Sequence, residues 1–106
     1  MIYAMNLYDI RKGKEEIYKQ YMTKSIELMD GISAELIASG HNPSKSLSGE
    51  SRQHFVIMKF ESMNEFEHLM SRQEESGVNL LREESTTNYI WTLYDEWDIG
   101  SWLYSR

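Results

Sequence analysis

An α+β fold, with one antiparallel sheet carrying both helices on the same face, is predicted for this chain by three observations. Four strand-like runs and two amphipathic helical stretches fill its 106 residues. Their order is strand, helix, strand, strand, helix, strand, which right-handed crossovers fold into one sheet. The strand runs also carry apolar side chains at both alternating phases, so both faces of the sheet need cover. Two helices cover one face, and a second copy of the chain is the expected cover for the other.

Each element follows from local chemistry. Met1 to Ile10 is rich in Ile, Tyr, Met and Leu and stops at Arg11, Lys12 and Gly13, as a strand running into a turn should. From Lys14 to Ile32 the apolar residues Ile17, Tyr18, Tyr21, Met22, Leu28, Met29 and Ile32 recur at helical spacing, and Asp30-Gly31 offers a left-handed stop. Ala34 to Ser39 is a short strand, and Gly40 to Ser51 is a polar connection holding the single proline, Pro43. His54 to Glu61 contains Phe55, Val56, Ile57 and Met58 in succession, the mark of a strand covered on both faces. Ser62 and Glu65 then have the spacing of a capping box, opening a helix with Phe66, Leu69 and Met70 on its apolar stripe. Ser76 and Gly77 interrupt that helix, and Val78, Leu80 and Leu81 continue it. Asn88 to Trp97 is the last strand.

Alternation divides each strand into two sets. Tyr3, Met5 and Leu7, with Val56, Met58 and Phe60 and with Tyr89, Trp91 and Leu93, form the more apolar set and are assigned to the helices. Ile2, Ala4, Asn6 and Tyr8, with Phe55, Ile57 and Lys59 and with Asn88, Ile90, Thr92 and Tyr94, form a mixed set suited to a lined cavity or a subunit interface.

Composition narrows the function classes. A net charge of −6 argues against nucleic acid, whose binding rests on clustered Lys and Arg. The absence of cysteine excludes disulfides, thiolate metal sites and cysteine nucleophiles, and it fits a cytoplasmic protein. No apolar run approaches the roughly 20 residues of a membrane span, so no membrane association is expected. Residues 1–106 read as a single domain. Within it, residues 98–106 form a tail whose Trp102, Leu103 and Tyr104 are expected to dock on its own subunit or on a partner.

The element order is that of the ferredoxin-like fold. With it, the KGKEE turn (Lys12 to Glu16), the HFVIMKFESMNEFEHL run (His54 to Leu69) and the YIWTLYDEW strand (Tyr89 to Trp97) resemble the dimeric α+β-barrel superfamily, over Met1 to about Trp97. The likeness is nearest to small uncharacterised bacterial families, with antibiotic-biosynthesis-type monooxygenases as more distant relatives. It implies a homodimer joined through the sheet faces into a barrel, with a small-molecule cavity between sheet and helices or inside the barrel. It does not imply one activity, because members range from cofactor-free oxygenases to haem proteins and lactone isomerases.

Lys59 is the leading catalytic candidate, since it interrupts an apolar strand. Buried, its amine would lose affinity for a proton and serve as a base or anchor an anion. Monooxygenase-like relatives carry an acidic residue near that place, and this chain departs from them. The plain alternative is a Lys that reaches solvent or pairs with a carboxylate. Tyr94 joins it as a catalytic candidate, and Asn6, Tyr8 and Thr92 are substrate-binding candidates, each a neutral donor to a ligand or an enolate. The plain alternative for these four is that they satisfy one another at an interface. His41 is a further binding candidate, as a loop residue near a cavity mouth. Haem-degrading relatives use a helix histidine with a first-strand asparagine, which points to His68 and Asn6. Yet His68 falls with Glu65 and Arg72, opposite the apolar stripe, as a solvated histidine would. No histidine belongs to a metal pattern, and no cofactor is expected.

The expected function is thus binding of a small, partly apolar molecule, with cofactor-free oxygenation or isomerisation as its enzymatic form. The alternatives are a non-catalytic assembly dimer with a filled barrel and, behind it, haem binding or degradation.

Overall fold

The computed structural model describes residues 1–105. In chain order they form β1 (Ile2–Ile10), α1 (Glu15–Leu28), β2 (Ala34–His41), β3 (His54–Phe60), α2 (Met63–Ser76), α3 (Val78–Ser85), β4 (Thr86–Asp95) and α4 (Ile99–Tyr104). The four strands make one antiparallel sheet in the order β2-β3-β1-β4. This is the ferredoxin-like α+β arrangement expected from the order of elements. Each expected strand and helix is present. β2 runs two residues further than its sequence pattern, and β4 begins and ends two residues earlier.

Helix ends are tied by side chains. Ser62 Oγ accepts the Glu65 amide at 3.3 Å, which is one half of the capping box. The other half is diverted, because the Glu65 carboxylate accepts the amide of Ser33 at 3.0 Å and so fastens α2 to the start of β2. Arg72 Nη1 donates to the carbonyls of Leu28 (2.8 Å) and Asp30 (2.6 Å), satisfying groups that α1 leaves open at its C-terminus. Gly77, at φ 74°, supplies the left-handed step that separates α2 from α3.

Directly opposed residues in an antiparallel pair share a face, so register fixes which side chains meet the helices. Four cross-strand rows point that way: Ala34, Phe60, Ile2 and Asp95; Leu36, Met58, Ala4 and Leu93; Ser39, Val56, Asn6 and Trp91; and His41, His54 and Tyr8. Ala4, Phe60, Leu69 and Ile32 are the buried centre of the core, with Met58, Phe66, Trp91 and Leu93 packed around them. The phase expected for β1 is therefore reversed. Ile2, Ala4, Asn6 and Tyr8 face the helices, and Tyr3, Met5 and Leu7 do not, whereas β3 and β4 follow the expected division. Both β1 sets are largely apolar, so apolarity alone carried no phase for this strand.

The other face shows three rows: Glu35, Lys59, Tyr3 and Tyr94; Ala38, Ile57, Met5 and Thr92; and Gly40, Phe55, Leu7 and Ile90. No element of the described chain lies across it, although it is mostly apolar. In the last row a Cβ on Gly40 would stand 2.3 Å from Cε1 of Phe55, so the aromatic ring occupies the space that the glycine leaves free. The tail also remains uncovered. Asp98 caps α4 by accepting the Ser101 amide at 3.0 Å, and Trp97 and Trp102, each 62% exposed, pack edge-on against one another.

Candidate functional site

Between α1, α2 and the sheet lies a cavity of about 330 Å³, at the small end of the range typical of ligand pockets. Its floor is Ala4, Asn6 and Tyr8 of β1, Val56 and Met58 of β3, and Tyr89 and Trp91 of β4. Its roof is Tyr18, Tyr21, Met22 and Ser25 of α1 and Met29 just after it, with Leu69, Met70 and Gln73 of α2. Ala4 sits centrally in the sheet with only a methyl group to offer, which leaves depth between floor and roof. The lining residues Ile26 and Leu36 are 62% and 57% exposed, so the cavity opens between α1 and the edge strand β2.

Polar groups punctuate this apolar lining. Asn6 Nδ2 donates to the Val56 carbonyl at 3.2 Å, and its Oδ1 accepts the Tyr89 hydroxyl at 2.7 Å. The hydroxyls of Tyr8 and Tyr18 hydrogen-bond to each other. Burial pushes the Tyr8, Tyr18 and Tyr89 hydroxyls above the ordinary phenol range, and for Tyr18 the Tyr8 partner adds to the rise. All three are therefore protonated near neutral pH and act as neutral donors or acceptors, not as bases. Ser25 Oγ, Gln73 Oε1 and Trp91 Nε1 are buried without a hydrogen-bond partner. Arg82 lies outside the lining, 5.1 Å from the Trp91 ring centroid and 5.5 Å from that of Tyr89.

At one end of the cavity, aromatic rings cross all four strands. His41 stacks on His54 at 6.1 Å, His54 on Tyr8 at 5.5 Å, and Tyr8 on Tyr89 at 5.1 Å. Burial, and then the neighbouring His41, hold His54 below the usual imidazole range. A bulge after Leu7, with Asn88 at φ 54°, allows Tyr8 and Tyr89 to overlap. Asp9 secures the bend by accepting the Gln53 amide at 2.7 Å and the Asn88 side chain at 2.9 Å.

The residues singled out from the sequence are divided between two faces. Asn6 and Tyr8 line the cavity together. Lys59, Thr92 and Tyr94 stand on the open face, where Lys59 Nζ lies 3.9 Å from Glu35 and borders a shallow depression with Met1, Ser33 and Glu61. His41 lies at the exposed end of β2, in the ring stack but outside the cavity lining. His68 is exposed on α2. The described residues contain no group of three or more His, Cys, Asp or Glu placed to hold a metal ion, and no helix among them is long and apolar enough to cross a membrane.

Tyr18, Ser25, Gln73, Tyr89 and Trp91 were not among the sequence candidates. Their signal is nevertheless present. Ser25 lies one turn after Tyr21 on the buried stripe of α1, and Gln73 lies one turn after Leu69 on that of α2. Both are polar residues at positions where the stripe calls for an apolar one.

The model of a family described as a domain of unknown function, DUF1330, matches residues 2–92. No functionally curated protein matches the chain. Among solved structures, a Rhodopseudomonas palustris protein of unknown function is similar at 14% identity with a TM-score of 0.76, over 92% of this chain and 82% of that one. A dimeric protein of unknown function with a ferredoxin-like fold, from Bacteroides fragilis, is similar at 14% identity and a TM-score of 0.61, over 90% and 95% of the two chains. SnoaB, a cofactor-independent oxygenase from Streptomyces nogalater, is similar at 5% identity and a TM-score of 0.59, over 92% and 93%.

Proposed function

Because this chain belongs to the DUF1330 family, whose description assigns no function, we propose a role from its own cavity: it binds one small, largely apolar molecule between sheet and helices. The carrying observation is a cavity of about 330 Å³ open at one edge and floored by side chains that a simple core would have closed over. Its test is titration with the neutral probe N-phenyl-1-naphthylamine, whose fluorescence rises in apolar surroundings. One saturable site per chain is expected. Val56→Trp, which fills the cavity from its floor, should abolish the signal while circular dichroism and the thermal transition stay close to wild type. Absence of saturable binding to the wild type would overturn the reading.

The molecule acts as a homodimer through its open sheet face, giving the α+β barrel, and the tail from residue 98 docks on the partner. The apolar rows on that face and the exposed indoles of the tail support this, as does the description of the Bacteroides fragilis neighbour as dimeric. Lys59, Thr92 and Tyr94 then lie inside the barrel, where Lys59 is held by Glu35. A reducing cytoplasm suits a chain without cysteine.

A second reading, in which the bound molecule is also transformed, is favoured by the grouping of Asn6, Tyr8 and Tyr18 as neutral polar groups in an apolar pocket. Such groups stabilise the enolate of a substrate that gives its proton to water, the kind of intermediate an oxygenation or isomerisation without cofactor requires. The likeness to SnoaB bears on the fold and not on this step.

A further inference from the structure

A second recess, of about 480 Å³, lies where the last turn of α3 meets the start of β4. Arg11 and Arg82 line it, and it shares only Tyr89 and Trp91 with the cavity. Local bonds bring the two arginines to one place. The Arg11 amide donates to the Ser85 carbonyl at 2.8 Å, and Thr86, paired with Ile10 across the sheet, donates its hydroxyl to the Arg82 carbonyl at 2.6 Å. The half-buried Arg82 guanidinium rests over the rings of both Tyr89 and Trp91. Among the described residues, side-chain hydrogen bonds and ion pairs occupy the guanidiniums of Arg52 and Arg72 and leave those of Arg82 and Arg11 without an acceptor.

A guanidinium held by its flat face against aromatic rings keeps its N–H groups free, because they point outward in its own plane. Two of them lie parallel at the spacing of carboxylate oxygens. The rings fix the fork before a ligand arrives, so little freedom is lost on binding. The nearby helix end does not repel an anion. The carbonyls of Leu81, Arg82 and Ser85 are taken by the Ser85 hydroxyl, the Thr86 hydroxyl and the Arg11 amide. Charge sets the valence. Glu83 is the one carboxylate in the lining, so the two guanidiniums leave an excess of one positive charge, which matches a monoanion and not a phosphate dianion. Tyr89 and Trp91 add an apolar wall for a carbon body. We propose that this recess is a second binding site, which takes a small organic carboxylate on the fork of Arg82 with Arg11 beside it. It does not depend on what the cavity binds.

The test titrates the full chain with benzoate, with its neutral isostere benzamide and with dianionic phosphate at one ionic strength, following the Trp91 indole N–H and the Arg82 Nε–H by NMR. Trp91→Phe and Arg82→Met identify the two signals. Benzoate should shift both along one saturating curve, and benzamide should bind about tenfold or more weakly, as the loss of a charge-assisted pair would give. Arg82→Met, which keeps the aliphatic cover of the rings, should abolish saturation of the Trp91 signal. Arg82→Lys keeps the charge without the fork and should bind benzoate more weakly than wild type, and the exposed Arg11→Met should weaken it several-fold with the fold intact. Val56→Trp, with the cavity filled, should bind benzoate as the wild type does, so this site and the cavity reading stand or fall separately. Equal binding of benzoate and benzamide, or benzoate binding unchanged in the Arg82 and Arg11 variants, overturns the site. Tighter binding of phosphate than of benzoate overturns the ligand class.

Discussion

Asn6 is polar and central in the sheet, and it is buried without loss because its amide oxygen takes the Tyr89 hydroxyl while its amide nitrogen reaches the Val56 carbonyl. Removing it strands the phenol. Asn6→Leu should destabilise the fold by about 1–3 kcal/mol, whereas the double variant with Tyr89→Phe should recover part of that loss. Urea denaturation of the four-member cycle measures the coupling, and strict additivity would show that the two groups do not depend on each other. His54 gives a pH prediction. Its folded pKa lies below the ordinary value of about 6.5, because burial and then His41 disfavour the imidazolium, with Asp9 opposing them weakly. The unfolded chain thus takes up the proton first. The stabilising contribution is complete above about pH 6.5 and is lost as the pH falls through the folded value. Melting temperatures between pH 7.5 and 5 should fall less in His54→Gln than in wild type, and parallel curves would remove His54 as the cause. At this scale the sequence was least legible. Asn6 and Tyr8 stood out as polar, but their face did not, since Tyr3, Met5 and Leu7 are as apolar as a core requires. Only pairing with Val56 and Trp91 settles the phase of β1.

Elements were far more legible than residues because their signals are local. The spacing on α1 and α2, the Ser62 cap and the left-handed Gly77 each act within a few residues, and each is found where the chain predicts it. What escaped was the use of those signals across distance. Glu65 has the sequence of a reciprocal cap and spends its carboxylate on Ser33, and Arg72, which pattern alone places beside Glu65 and His68, instead closes the carbonyl end of α1. This makes Arg72 a tie between the two helices that roof the cavity. Arg72→Met, which keeps the aliphatic length, should lower stability by about 1–2 kcal/mol, with Arg72→Lys recovering part. The urea midpoint reads the loss. Exchange of the last amides of α1 reads its location, and uniform exchange throughout the chain would show that Arg72 does not hold that end.

For the whole molecule, the face that carries Tyr3, Met5, Leu7, Phe55, Ile57 and Ile90 is the apolar side of the sheet that the described chain leaves open. A single copy exposes it together with the indoles of Trp97 and Trp102. The proposed pairing of two copies face to face would cover the sheet, and a tail docked on the second copy would cover the indoles. Two variants separate these contributions. Gly40→Ala drives the Phe55 ring off its neighbour and toward the proposed partner, so it should weaken the dimer by about tenfold or more, the loss expected when overpacking costs at least about 1.4 kcal/mol. The secondary structure of the dissociated chain should change little. Ending the chain after Asp95 should also weaken the dimer, as the proposed docking of the tail on the partner requires, and an unchanged dimer would remove that docking. Sedimentation equilibrium from nanomolar to micromolar concentration measures both. A wild-type chain that remains a folded single subunit at micromolar concentration would remove the barrel, along with any chemistry assigned to Lys59 and Tyr94 inside it. The cavity under α1 would stand, because its floor and roof come from one copy alone.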